Sequence, residues 1–220
     1  MKRHTLLSEI PIFLIIFFLF IVRSFFTPKP SSGQLLFQNW DFPYYQIALA
    51  ALSSALLFFY YEKSKHRTLV IFPVLFTFGM LFSTSLFCRF LLSITNNPET
   101  LSIVKPQGLF QWFNCLLNFF CAAFFEEVIF RFYFSDKLCQ LLSLKLKADS
   151  KMILKKGVLI FCELCGLLCF AFAHIYLGWI SVLNAAIAHV FLRLCFKKTQ
   201  KLWPCVASHF LYNVISLILL

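Results

Sequence analysis

The stretch LFQWFNCLLNFFCAAFFEEVIFRFYF, residues 109–134, decides what kind of protein this is. A bilayer's hydrocarbon core of roughly 30 Å takes about 17–25 residues of apolar helix to cross, and this run is long enough. Yet it carries Glu126, Glu127 and Arg131 close together. An ionisable side chain at the centre of a membrane helix costs about 2.5–3.5 kcal/mol on insertion scales, so the three need a shared reason. Glu127 and Arg131 are four apart with the acid first, the favoured order for a pair on one helix face. Glu126 points about 100° round the helix from Glu127. The run reads as a membrane helix with a structural clamp, Glu127 and Arg131, and one carboxylate left over.

The rest of the chain is built from the same material. Of 220 residues 60% are hydrophobic, 31 are Phe and only 13% are charged, against about 25% charged in a soluble domain. Seven apolar segments are long enough to span: 10–26, 44–61, 69–92, 109–134, 157–177, 179–196 and 202–220. Within lipid the backbone satisfies itself only as a helix or a closed barrel, so the expected fold is all-α, a polytopic transmembrane bundle of about seven spans. MKRH followed by Ile10 to Val22 imitates a signal peptide. No A-x-A-like cleavage site precedes the Pro- and Ser-rich Thr27 to Gly33, so it is read as an uncleaved first span. Residues 1–108 form a three-span region without motifs, and 109–220 a four-span core.

Cations set the expected orientation, because Lys and Arg concentrate in cytoplasmic connectors. With the N-terminus cytoplasmic and the chain alternating, the inner segments hold Lys2, Arg3, Lys63, Lys65, Arg67, Lys137, Lys145, Lys147, Lys151, Lys155, Lys156, Lys197, Lys198 and Lys201. The outer connectors hold only Lys29 and Lys105. The net charge of +11 therefore reads as a topology signal toward the lipid bilayer and not as nucleic-acid binding. The cysteines fall mostly inside apolar runs, where a thiol is a small hydrophobe; the Cys162–Cys165 CxxC reads as packing, and no disulfide framework is inferred.

Other ionisable groups inside spans are Glu163, His174, His189 and His209, with Arg23, Arg89 and Arg193 near span ends, where they can snorkel. Asn213 lies one helical turn beyond His209. A lone intramembrane His is commonly an interhelical hydrogen-bond partner. Polar groups on three different helices that can share a cavity point to hydrolysis instead. Glu126 with His174 can bind and deprotonate a water, while His209 and Asn213 offer donors for an oxyanion. Glu163 pairs with a cation of a neighbouring helix on this reading, and His189 caps a packing contact. One difficulty is height: counting 1.5 Å per residue, His174 sits far above Glu126 and His209 unless the turn at Gly178 lies within the membrane. A buried turn is expected.

These residues resemble a known family. EEVIFR (Glu126–Arg131) is similar to the EExxxR motif of the CPBP family, the CAAX-protease and bacteriocin-processing membrane proteins. FAFAH (Phe170–His174) resembles its FxxxH motif, HFLYN (His209–Asn213) its HxxxN motif, and TQKLWPCVASH (Thr199–His209) the lead-in to that motif. The resemblance covers roughly residues 110–215. It implies an intramembrane endopeptidase with Glu126, His174, His209 and Asn213 catalytic and Glu127 and Arg131 in support. Phe132 departs from the Gly common after the Arg, which bears on substrate class. A zinc ion held by Glu126, His174 and His209 is open, but without HExxH a metal-independent Glu/His mechanism is preferred. The implied partner is a peptide or membrane-protein substrate, and family habit favours a bacterial inner membrane. The rival readings are an ion- or proton-coupled transporter, disfavoured because no inverted repeat is visible, and a non-catalytic immunity or binding protein of the same fold.

Overall fold

A computed structural model describes residues 10–22, 25–26, 40–60, 70–94, 104–143 and 152–219. Among them the ordered elements are all helical. Helix α1 (Ile10–Ile16) runs into a π-helical turn, Phe17–Val22; α2 is Tyr44–Tyr60 and α3 Ile71–Ile94. Helix α4 (Gly108–Glu127) continues through a π-helical segment, Val128–Tyr133, into α5 (Phe134–Ser143). Then come α6 (Met152–Phe172), a 3₁₀ turn (Ile175–Leu177), α7 (Trp179–Thr199) and α8 (Trp203–Leu219). Breakers set the boundaries. Helix α7 stops at Gln200, whose φ of 53° is left-handed and whose N–H returns to the Phe196 carbonyl, a common helix terminus. Pro204 sits in the first turn of α8, where its missing N–H removes no helical bond.

Three helices are long and apolar enough to cross a membrane: Ile71–Ile94, the continuous Gly108–Ser143, and Trp179–Thr199. Ile10–Leu19, Tyr44–Tyr60 and Trp203–Leu219 are apolar but shorter. Helix α6 falls outside both groups, because Lys155, Lys156 and Glu163 interrupt its apolar surface. The all-helical class stands, with three candidate spans in place of the seven counted from apolar runs. Much of the charge pattern used for orientation, including Lys2, Arg3, Lys29, Lys63, Lys65, Arg67, Lys145, Lys147 and Lys151, lies outside the described residues.

Burial is inverted relative to a water-soluble fold. Phe58, Phe72, Leu109, Phe161 and Trp203 face outward, while Asn114, Glu127, Arg131, Arg193 and Ser208 are buried. That is what a hydrocarbon solvent selects, since there an outward ring costs nothing and an outward charge is expensive. Helix α3 packs on α7 and α8, α6 on α7, and α4 on α2 and α8. The π-helical segment 128–133 therefore lies in the middle of the bundle, its side chains in two adjoining cores. One holds Ile129, Phe130 and Tyr133 with Phe170 and Ala185; the other holds Val128 with Phe124, Leu192 and Val206. Phe132 packs against both.

Candidate active site

Glu127 is fully buried on the last turn of α4 and engaged on both oxygens. Its Oε2 lies 3.1 Å from Arg131 Nε, and its Oε1 accepts from His209 Nδ1 at 2.9 Å. The i, i+4 pair thus spans the start of the π-helical segment, and a third helix, α8, is tied to it through His209. Since the carboxylate can only accept, His209 donates from Nδ1, which leaves its Nε2 on the side of Glu126. Glu126 Oε2 is 4.0 Å from that Nε2. This oxygen is buried and has no hydrogen-bond partner among the described residues, although the Glu126 side chain as a whole keeps a quarter of its surface exposed. Glu127 Oε2 is likewise without a hydrogen bond among the described residues, its 3.1 Å approach to Arg131 being an ion pair only, so Glu127 is held chiefly through its Oε1.

His174 reaches the site from another direction. Helix α6 ends at Phe172, and His174 caps the short 3₁₀ turn that leads to Gly178. Its Nδ1 lies 2.9 Å from the Phe170 carbonyl; a carbonyl only accepts, so Nδ1 carries a proton. Gly178 has φ 97° and ψ 167°, a region essentially closed to residues with a Cβ, and it is buried. In the same turn Tyr176 lies within electrostatic reach of Glu126.

Direct contacts join Glu126, Glu127, Arg131 and His209. No hydrogen bond or ion pair joins His174 or Asn213 to them among the described residues. His174 is linked through Phe170, whose ring stacks near the His174 ring (4.9 Å between centroids) and carries the Arg131 guanidinium carbon 4.2 Å from its centre. Asn213 is half-buried one turn beyond His209 on α8. Its neighbour Tyr212 accepts from Asn184 Nδ2 of α7 at 3.1 Å.

Three residues behave differently from the sequence reading or lie beyond it. Arg193 does not snorkel: it is buried and donates to both oxygens of Glu163 (2.9 and 2.8 Å), to Asp136 and to the backbone carbonyl of Arg131. That carbonyl belongs to the π-helical segment, so Arg193 fastens the segment to α5, α6 and α7. Glu163 does pair with cations of a neighbouring helix, Arg193 and Lys197. His189 does more than cap a packing contact, since its Nδ1 lies 2.9 Å from Arg131 Nη1. Tyr176 belongs to no motif that could have singled it out. The spacing of His189 and Arg193, four apart on α7, was the available signal for a second polar face.

The nine cysteines are free thiols. Among the described residues no group of three or more His, Cys, Asp or Glu is arranged to hold a metal ion. Of the candidate zinc set of Glu126, His174 and His209, His209 has Nδ1 held by Glu127, and its Nε2 faces Glu126.

Residues 108–215 match the family model described as Type II CAAX prenyl endopeptidase Rce1-like. This segment, which contains the whole cluster, is similar to the Rce1-like CAAX-protease family. No curated protein matches the chain, and no solved structure matches it.

Proposed function

We infer that this chain is an intramembrane endopeptidase that hydrolyses a peptide bond of a membrane-associated substrate with a water activated by Glu126 and His174. The observation that carries the reading is the buried, partnerless oxygen of Glu126 4.0 Å from His209 Nε2. Burying a carboxylate oxygen without a partner is costly, and a carboxylate held beside a locked twin is ready to accept a proton. In the proposed reaction the water loses its proton to Glu126, its oxygen bonds to the carbonyl carbon, and the carbonyl becomes an oxyanion. In its imidazolium form His209, with Nδ1–H on Glu127, donates from Nε2 to that oxyanion, and Asn213 donates from its amide. Collapse breaks the C–N bond, and the proton passes to the leaving amine. His174, with Nε2 unprotonated, holds the water in line. Glu127 and Arg131 fix His209. No step is routed through a metal.

The bundle is proposed to cross the membrane with its N-terminus cytoplasmic, in about seven passes. The cation distribution supports this, and the substrate class is a peptide tail anchored in the same bilayer. The test is cleavage of lipidated and transmembrane peptides by the protein purified in nanodiscs, with Glu126→Gln, His174→Gln and His209→Ala alongside. Cleavage by wild type that survives in Glu126→Gln would remove the mechanism. Chelator added to the same assay asks whether a metal takes part.

A further inference from the structure

The strongest feature outside the motifs is the far side of Arg131. Its guanidinium is fully buried, and its Nε faces Glu127 at 3.1 Å. From the opposite edge, Nη1 lies 2.9 Å from Nδ1 of His189, a residue 2% exposed on α7. An arginine cannot accept, so the hydrogen bond has one sense: Arg131 donates and His189 Nδ1 accepts with its lone pair. His189 is then the neutral tautomer with its hydrogen on Nε2, and that Nε2 is buried with no partner. The ring is aligned by Phe170, 5.6 Å away between centroids, the same ring on which Arg131 rests.

These contacts form one chain: His189 Nδ1, Arg131, Glu127, His209 Nδ1. An Arg side chain has several rotatable bonds, and a single contact to Glu127 would leave the guanidinium free to pivot about it. Contacts at two edges and on one face remove that freedom. The last member of the chain, His209, is the one that faces Glu126.

We propose that His189 is a positioning residue: as a neutral Nδ1 acceptor it fixes the rotation of Arg131, and through Glu127 it sets the orientation of the His209 ring. The proposal rests on the hydrolytic reading for its effect on rate, but its geometric part stands apart from activity.

The test compares substitutions that differ in where they put an acceptor. An Asn places its amide oxygen where Nδ1 was, a Gln places its amide where Nε2 was, and Leu supplies none. The full chain is labelled with ¹⁵N-histidine in nanodiscs, and the His209 Nδ1 resonance is assigned by its loss in His209→Ala. His189→Gln and His189→Leu are expected to shift or broaden that resonance, while His189→Asn keeps it. In the peptide assay His189→Gln lowers kcat by about 10²-fold with KM within twofold, the scale of a misplacement of about 1 Å, and His189→Asn recovers most of that loss. A His209 resonance unmoved in His189→Gln, or equal behaviour of Asn and Gln, overturns the proposal whether or not any peptide is cut. If the resonances behave as stated while Glu126→Gln still cleaves, the positioning role stands and the mechanism falls. Elution and helicity of each variant separate misfolding from misorientation, and the Asn–Gln pair, both polar and near in size, decides the outcome if His189→Leu does not fold.

Discussion

The two histidines assigned to one reaction are held in opposite ways. His209 sits on a regular helix and is gripped from outside by a carboxylate, which is gripped by an arginine, which rests on a ring. His174 sits in a turn between two helices and is held by the carbonyl four residues before it and by the shape of the backbone at Gly178. The first half is built from side-chain charge in a medium of low polarity, so removing one member leaves another charge buried and unpaired. The second is built from main chain, so it is vulnerable to changes of backbone conformation instead. The two histidines therefore respond to different substitutions: His209 to loss of a charge, His174 to a change of backbone.

The largest expected effect separates chemistry from scaffold on the side of His209. Glu126→Gln should lower kcat by about 10²–10⁴-fold, the usual contribution of a general base. The melting temperature should barely move, because the oxygen that is lost has no hydrogen bond to lose. A melting point that falls together with activity would mean that Glu126 is structural.

Next comes the clamp. Glu127→Leu should destabilise the protein by about 3–5 kcal/mol, because it strands Arg131 as an uncompensated buried charge. The double variant Glu127→Leu with Arg131→Met should regain most of that stability, since apolar groups can replace a buried pair with little loss, yet it should remain inactive. Chemical denaturation in detergent measures the first claim and peptide cleavage the second. Restored activity in the double variant would show that the pair does not orient His209.

The turn is the corresponding test on the side of His174. Gly178→Ala puts a Cβ at φ 97°, ψ 167°, a strain of about 1–3 kcal/mol. The chain is expected to relieve it by shifting residues 174–178, so kcat should fall more than stability does. An alanine variant with wild-type kcat would detach His174 from the mechanism. Labelling of a Cys placed at Gly178 by an impermeant reagent should also fail, given the burial of that position.

How much of the molecule is legible in its sequence follows the same division. The helical class comes from composition, and the pairing of Glu127 with Arg131 from their spacing. The spare role of Glu126 is visible by elimination within one helix. What cannot be read is whatever needs two distant segments. Distance from a span end makes Arg193 a snorkelling residue, but its partners Asp136 and Glu163 are 57 and 30 residues away. The π-helical segment has no Gly or Pro to announce it; its Arg131 carbonyl is satisfied by Arg193, a fact of packing. Where an apolar run ends in a turn, as at Ala173–Leu177, the helix is shorter than the run. Counting residues exposes the depth of His174 as a difficulty, while the backbone conformation at Gly178 is a fact of structure.

The smallest effect tests whether burial, and not charge, makes the cluster rigid. Lys197 and Arg193 both pair with Glu163 Oε1 at 2.8 Å, yet they differ in surroundings: the Lys197 side chain is 44% exposed and that of Arg193 6%. An exposed pair is worth about 0.2–1 kcal/mol, so Lys197→Ala should lie at the edge of detection in a denaturation curve. Arg193→Leu leaves the buried Arg131 carbonyl without its donor, a loss of about 1–3 kcal/mol. It also releases the segment that carries Arg131, so kcat should fall with it while Lys197→Ala leaves kcat unchanged. Equal losses in the two variants would mean that the ion pairs act as surface charges and that the π-helical segment holds its shape without them.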